Sequence, residues 1–128
     1  MWISICLKQA ANTTCVSTSL DVYVYLTPFC KSLPENPGET LKAENANTAY
    51  TYVCAPQGEI IIYREEEWFK VFLHETLHSF GLDLDTEDVA FLSRTLNKIF
   101  PIASDFNVAE AYVELWARIM DCAIQSYF

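Results

Sequence analysis

The chain contains two histidines, His74 and His78, which lie four positions apart with Glu75 directly after the first. On an α-helix, side chains at positions i and i+4 share one face, so both imidazole rings can reach a single metal ion. Glu75 then projects beside the pair, where its carboxylate can hold a water on that ion. The HExxH pattern is typical of zinc peptidases, and it predicts that both histidines bind zinc and that Glu75 is the general base.

A catalytic zinc ion normally takes three protein ligands and one water, and the sequence offers no third histidine. Glu110 and Glu114 lie one helical turn apart in a later segment. One of these two carboxylates can bind zinc, and the other can accept the free ring N–H of a zinc-bound histidine. Three acidic residues nearer the motif are alternative ligands, namely Asp83, Asp85 and Glu87.

The residues before the motif are extended in character. Residues 20–29, 48–54 and 59–63 are rich in β-branched and aromatic side chains, which predicts three strands. The last two strands are expected to form a hairpin around a turn at residues 56–58. Residues 31–47 hold prolines, a glycine and asparagines, which predicts a long surface loop.

The residues from the motif onward are helical in character. Apolar side chains recur at helical spacing over residues 65–80, with three glutamates in the first turn and Gly81 as a stop signal. A second helix is expected over residues 87–100, and a third begins after Asn107. The third pattern continues to the last residue without a stop, which is compatible with a fragment of a longer chain. Strands followed by helices predict one α+β domain over residues 1–128.

Composition excludes several classes of function. The 128 residues are 52% hydrophobic and carry a net charge of −9, and 12 of the 17 acidic residues follow residue 64. Without a cluster of Lys and Arg, neither nucleic acid nor an anionic membrane is expected as a partner. The sequence lacks an apolar run of about 18 residues, so a membrane span is not expected. Five cysteines without CxxC spacing predict reduced thiols and an intracellular, cytoplasmic protein.

An HExxH motif with a glutamate on a downstream helix resembles the gluzincin clan, the thermolysin-like zinc metallopeptidases. The resemblance covers roughly residues 47–116. In that clan the third ligand begins an ExxxD pattern, and the aspartate contacts the first histidine of the motif. The resemblance therefore implies zinc bound by His74, His78 and Glu110, with Glu114 as the partner of His74. Glu114 stands where the clan has aspartate and is one carbon longer, and the spacing from His78 to Glu110 exceeds the one common in thermolysins.

The segment before the active-site helix is similar to the clan's edge strand. Asn47, Ala49 and Tyr50 match an Asn-Ala-aromatic pattern that pairs with substrate. The resemblance implies that a peptide lies extended along this strand. Residues 47–83 also resemble zincin-like proteins of large DNA viruses, which implies a location in the host cytoplasm or the virion.

A second zinc-peptidase pattern fits less well. The metzincins carry HExxHxxGxxH/D, and Gly81 supplies the glycine of that pattern. The position that requires His or Asp is Leu84, with Asp83 and Asp85 on either side. The metzincin pattern therefore ranks second.

The sequence leads us to predict a small zincin-like α+β domain, in which an antiparallel or mixed sheet packs on an active-site helix and on a C-terminal glutamate helix. We expect a zinc-dependent peptidase that acts on a peptide or protein through a zinc-bound water. Stabilisation of the oxyanion requires a further donor, for which Tyr50, Tyr112 and Arg118 are candidates, and Tyr112 is also a candidate substrate contact. The alternative is a catalytically inactive zincin-like binding module with structural zinc.

Overall fold

The computed structural model describes residues 1–10, 14–36, 38, 39 and 41–127. They form an α+β fold, and the order of its elements in the chain is α1 (Trp2–Gln9), β1 (Ser19–Thr27), α2 (Ala43–Ala46), β2 (Ala49–Thr51), β3 (Gln57–Arg64), α3 (Trp68–Ser79), α4 (Thr86–Ile99) and α5 (Val108–Tyr127). All three predicted strands and all three predicted helices are present. The predicted loop over residues 31–47 includes Pro37 and Thr40, and the third helix was expected to continue to Phe128. These three residues lie outside the described part.

The three strands form one mixed sheet in the order β1-β3-β2. β2 and β3 pair antiparallel, as the predicted hairpin requires, whereas β1 runs parallel to β3. The turn of the hairpin lies before the expected position, because β3 already begins at Gln57. β2 is therefore an edge strand with one hydrogen-bonded neighbour among the described strands.

The central strand β3 carries the core of the sheet. Its side chains alternate between buried and more exposed, and Ile60 and Ile62 are completely buried. They pack with Ala49 of β2 and Val71 of α3 in one apolar cluster. This cluster seats α3 against β2 and β3, so the motif helix lies directly beside the edge strand.

Helix α1 was not predicted from the sequence. It packs behind α3, where Cys6 is buried in a second apolar cluster with Phe80. The indole N–H of Trp2 donates a hydrogen bond of 2.7 Å to Oγ1 of Thr76. α1 therefore supports the C-terminal half of α3 through Thr76.

The prediction that the cysteines are reduced thiols is wrong for two of the five. Cys15 and Cys54 form a disulfide, whereas Cys6, Cys30 and Cys122 are free. The two bonded residues are 39 positions apart, and only the folding of the chain brings them together. The argument from reduced thiols to a cytoplasmic location is thereby removed, and that location stays a prediction.

The motif helix starts later than its pattern suggests. α3 begins at Trp68, and Glu67 precedes it in a left-handed conformation with φ of 55°. The three glutamates expected in the first turn therefore lie before the helix. At its other end, Gly81 has φ of +62°, a conformation that glycine adopts without strain and that turns the chain away from the helix. Within the described residues, every helix is too short or too polar to span a bilayer.

Candidate metal centre

Helices α3 and α5 bring three predicted ligands to one point. His74 and His78 share one face of α3, and their Nε2 atoms are 3.1 Å apart. Glu110, in the first turn of α5, places its carboxylate oxygens 3.2 Å from Nε2 of His74 and 3.4 Å from Nε2 of His78. The three ligand atoms form the one described group of His, Cys, Asp and Glu side chains that is suited to a metal ion.

The spacing of these atoms suits tetrahedral zinc. With zinc-to-ligand bonds of about 2.0–2.1 Å, two ligand atoms of a tetrahedron are separated by about 3.3–3.4 Å. The Nε2 atoms are 3.1 Å apart, and the two oxygens of Glu110 lie 3.2 Å from one Nε2 and 3.4 Å from the other, which is close to that value. The side chains of His74, His78 and Glu110 are therefore near enough together to hold one small metal ion.

The other nitrogen of each ring contacts a second carboxylate. Nδ1 of His74 lies 3.3 Å from Oε2 of Glu114, and Nδ1 of His78 lies 2.8 Å from Oδ1 of Asp83. Carboxylates in these positions favour a ring N–H on Nδ1 of each neutral histidine. The two Nε2 atoms, 3.1 Å apart, and the carboxylate of Glu110 would then be left as acceptors around one point. A cation at that point satisfies such a set of acceptors.

The two histidines differ in their titration. Burial, followed by the charge of His78, holds the pKa of His74 below its usual value, against the opposing effect of Glu110 and Glu114. Burial also disfavours the charged form of His78, but the hydrogen bond to Asp83 and the nearby negative charges outweigh it and raise the pKa of His78. His78 is thus the histidine whose proton competes more strongly with a metal ion.

Glu75 lies in the same cleft and is almost fully buried, with 8% of its surface exposed. Its pKa is raised from the usual 4.5 to about 7, chiefly by burial; the charge of His78 opposes this rise and the negative charge of Glu110 adds to it. A carboxyl group with a pKa near neutrality is suited to accept a proton and to donate it again. This is the behaviour expected of a general base.

Two cations that were not predicted to support the site hold Glu114 in place. Nζ of Lys70 and Nε of Arg118 both lie 2.8 Å from Oε1 of Glu114. The other oxygen, Oε2, faces His74. Burial alone would raise the pKa of Glu114, but the hydrogen bond and charge of Lys70 and the charge of Arg118 lower it, so this carboxyl stays ionised. The spacing of Lys70, one turn before His74 on α3, is the sequence signal that could have identified it.

The edge of β2 faces the centre across a cleft of about 590 Å³. The amide of Tyr63 donates to the carbonyl of Thr48. In an antiparallel ladder the bonded positions alternate, so Tyr50 also pairs inward with β3, whereas Ala49 and Thr51 direct their N–H and C=O groups outward. The open edge of β2 therefore offers main-chain donors and acceptors to an extended ligand.

Of the remaining predicted site residues, all but Tyr112 line the cleft. Asn47, Ala49, Tyr50 and Arg118 line the cleft. Tyr112, in contrast, contacts Trp116 edge-on, with ring centroids 6.3 Å apart, and is not among the described cleft residues. Two positions along a helix correspond to a rotation of about 200°, so Tyr112 points away from the side that carries Glu110.

The three alternative ligands lie elsewhere. Asp85 caps α4 by accepting a hydrogen bond of 2.8 Å from the amide of Asp88, and Glu87 is exposed in the first turn of the same helix. Asp83 contacts the outer nitrogen of His78 instead of joining the three ligand atoms. None of these three residues therefore takes the position of the third ligand that the metzincin pattern requires.

Comparisons with family models, curated proteins and solved structures found no match for this chain. The resemblance to gluzincins and to zincin-like viral proteins consequently stays a hypothesis that depends on the motif residues. The candidate site is supported by geometry alone.

Proposed function

We propose that this chain is a zinc-dependent peptidase of gluzincin type. One observation carries the proposal, namely the convergence of His74, His78 and Glu110 on one point while a carboxylate backs the outer nitrogen of each histidine. A carboxylate beside the outer nitrogen orients a ring and favours the tautomer whose inner nitrogen is free, which is how proteins prepare histidines as metal ligands. A catalytic centre also requires an open side, and the adjoining cleft supplies it.

In the proposed hydrolysis, the metal activates a water and Glu75 transfers its proton. When bound, zinc would supply a water of lowered pKa and would polarise the carbonyl of a peptide bond. Glu75 accepts the proton of the attacking water on its carboxylate and delivers it to the departing amine nitrogen. In the metal-free chain burial already brings its pKa to about 7, so this carboxyl group can change its protonation state near neutral pH.

The substrate is positioned by the main chain of β2. An extended peptide that pairs with the outward N–H and C=O groups of Ala49 and Thr51 adds a strand to the sheet. Its scissile bond then passes in front of α3, the helix that carries Glu75. Since main-chain pairing does not depend on side chains, this edge provides affinity without strong sequence selection.

Two donors are available for the developing oxyanion. Tyr50 and Arg118 both line the cleft, whereas the orientation of Tyr112 removes it from consideration for this role and for substrate contact. Nε of Arg118 contacts Glu114, and this contact holds the guanidinium group beside the cleft. We favour Arg118 for that reason.

The first test is metal content. Protein purified without added zinc is expected to contain about one zinc ion per chain by mass spectrometry, because three ligands form one tetrahedral site. His74→Ala and His78→Ala should each abolish binding, whereas Glu87→Ala, on the exposed start of α4, should retain it. A wild-type chain that contains no zinc and takes none up would exclude the proposal.

The second test separates a peptidase from an inactive binding module. Wild type is incubated with a broad peptide library and the products are identified by mass spectrometry. Glu75→Gln should retain zinc and lose hydrolysis, typically by a factor of about 10²–10⁴, and Glu87→Gln is the matched control. Zinc-loaded wild type that cleaves no peptide would instead support a zincin-like module with structural zinc.

A further inference from the structure

The disulfide between Cys15 and Cys54 lies against the C-terminal end of the motif helix. The amide of Cys54 donates a hydrogen bond of 3.1 Å to the carbonyl of His78, and the amide of Gly81 donates to the same oxygen at 3.1 Å. A Cβ atom at position 81 would lie 2.6 Å from Sγ of Cys15. The cross-link is thus in direct contact with the backbone that carries a proposed zinc ligand.

The same cross-link lies beside the two other parts of the site. Two residues beyond Gly81 the chain reaches Asp83, the carboxylate that contacts Nδ1 of His78. Before Cys54, β2 ends at Thr51, whose hydroxyl is 2.8 Å from that of Ser79 at the end of α3. The disulfide therefore connects the substrate edge, the last turn of α3 and the turn that holds Asp83.

Reduction would disturb this contact mechanically. Bonded sulfurs are about 2.05 Å apart, whereas unbonded atoms of this size need about 3.5 Å or more. Sγ of Cys15 already lies against Gly81 without space for a single added carbon. Separation of the sulfurs changes the contacts of Gly81 and Cys54, and both residues donate to the carbonyl of His78.

We propose that the Cys15–Cys54 disulfide is a redox control of the metal centre, an inference that rests on the proposed zinc peptidase function. The oxidised form fixes His78 and Asp83 for metal binding, and the reduced form loosens them. In the reduction, a dithiol gives two electrons and two protons, the S–S bond breaks, two thiols form and the dithiol becomes a disulfide. Cys54 is only half-buried, whereas Cys15 is buried, so Cys54 is the sulfur that a dithiol can reach.

The test compares zinc affinities of oxidised wild type and of the Cys15→Ser/Cys54→Ser double variant, which avoids chelation by added dithiols. We expect the double variant to bind zinc about 10–100-fold more weakly, the usual effect of losing support behind a histidine ligand. Cys30→Ser/Cys122→Ser, which removes two exposed free thiols, should bind as wild type does. Ile62→Val, a substitution in the other apolar cluster, controls for general loss of stability.

A second measurement does not depend on zinc or on catalysis. Hydrogen exchange at the amides of Cys54 and Gly81, both bonded to His78, should be faster in dithiol-treated wild type than in the oxidised protein. Equal zinc affinity and equal exchange in the two redox forms would overturn the inference. If affinity and exchange respond to the cross-link but no peptide is cleaved, the peptidase proposal alone fails. If the oxidised chain binds no zinc, the exchange measurement still decides whether the cross-link fixes this backbone.

Discussion

Four carboxylates surround the two histidines, and the environment of each one suits it to a different proposed role. Glu110 is half-exposed and faces both Nε2 atoms, as the proposed ligand must. Glu114 and Asp83 lie behind the rings on Nδ1. Glu75 faces the cleft, and its burial keeps its pKa near neutrality. Residue type alone does not distinguish these tasks, because three of the four are glutamates.

Alanine substitutions should rank these roles by zinc affinity. We expect Glu110→Ala to cause the largest loss, because it removes a ligand. Glu114→Ala and Asp83→Ala should each lower affinity by about 10–100-fold, since each removes the partner of one histidine. Asp85→Ala should have little effect, because Asp85 caps α4. Competition with a chromophoric chelator measures all four variants.

The rank of Asp83 comes from the structure. The sequence offered Asp83 only as an alternative ligand, whereas its 2.8 Å contact with Nδ1 of His78 makes its role comparable to that of Glu114. If Asp83→Ala released the metal while Glu110→Ala retained it, the gluzincin-type ligand set would be wrong. A metzincin-like ligand after the motif would then replace it.

The histidine pair could be predicted from the sequence, whereas the task of Asp83 could not. His74 and His78 are related by one turn of a single helix, and helical periodicity alone places their rings together. Asp83 reaches His78 only because Gly81 adopts φ of +62° and returns the chain to the helix end. A glycine signals that a turn is allowed but does not specify where the following side chains point.

At the scale of elements, the packing of α5 on α3 brings Glu110 to the motif. Val113 and Ala117 of α5 are completely buried, and they lie three and seven positions after Glu110, which is helical spacing for one face. The small side chain of Ala117 permits a close approach of the two helices. Lys70 joins the same two helices electrostatically through Glu114.

Lys70→Met should therefore loosen the site without removing any ligand. Lys70 is 8% exposed and contacts Glu114 at 2.8 Å, so its loss leaves Glu114 with Arg118 as its remaining cationic partner among the described contacts. We expect zinc affinity to fall by about 10-fold, the lower end of the effect of a supporting residue. Lys70→Arg should restore part of this loss because it keeps the charge.

The matched control for that prediction is Lys98→Met, on the exposed face of α4. It changes net charge by the same amount at a distance from the centre. Equal zinc affinities of Lys70→Met and Lys98→Met would show that Lys70 contributes only to overall charge. Chelator titrations of both variants at one ionic strength make the comparison.

The elements themselves were predictable to different degrees. Strands β1 and β3 and helix α4 follow from local side-chain pattern, and their bounds differ from prediction by a few residues. The prediction allowed a mixed sheet but did not specify the parallel pairing of β1 with β3, because a strand sequence does not encode the direction of its neighbour. Helix α1 was missed because eight apolar-rich residues carry no distinct helical signal, and its stability comes from packing on α3.

At the scale of the whole molecule, the site lies in a small and partly exposed fold. Five consecutive apolar side chains of β1, Val22 to Leu26, are each at least 39% exposed. Much of the described core is confined to two clusters on either side of α3. In such a protein the free energy of unfolding is modest, so one unfavourable buried group has a measurable effect.

Glu75 is such a group, and Glu75→Gln should therefore stabilise the metal-free protein. Its pKa is about 7 in the folded chain, against a usual value of 4.5. Between these values the folded state binds more protons than the unfolded state, so stability falls as pH rises from about 4.5 to about 7. The difference corresponds to roughly 3 kcal/mol at full ionisation. Gln cannot ionise and avoids this penalty.

Urea unfolding in the presence of a chelator measures the effect at about pH 8 and about pH 5. At about pH 8, Glu75→Gln should exceed wild type in free energy of unfolding by up to roughly 3 kcal/mol, and at about pH 5 the gap should nearly close. Glu87→Gln, on an exposed helix start, should match wild type at both pH values. If the two proteins differed in free energy of unfolding by the same amount at both pH values, Glu75 would not be held neutral by burial. A gain in stability at about pH 8, accompanied by loss of hydrolysis, is the result expected when a general base is buried for its chemistry at a cost to the fold.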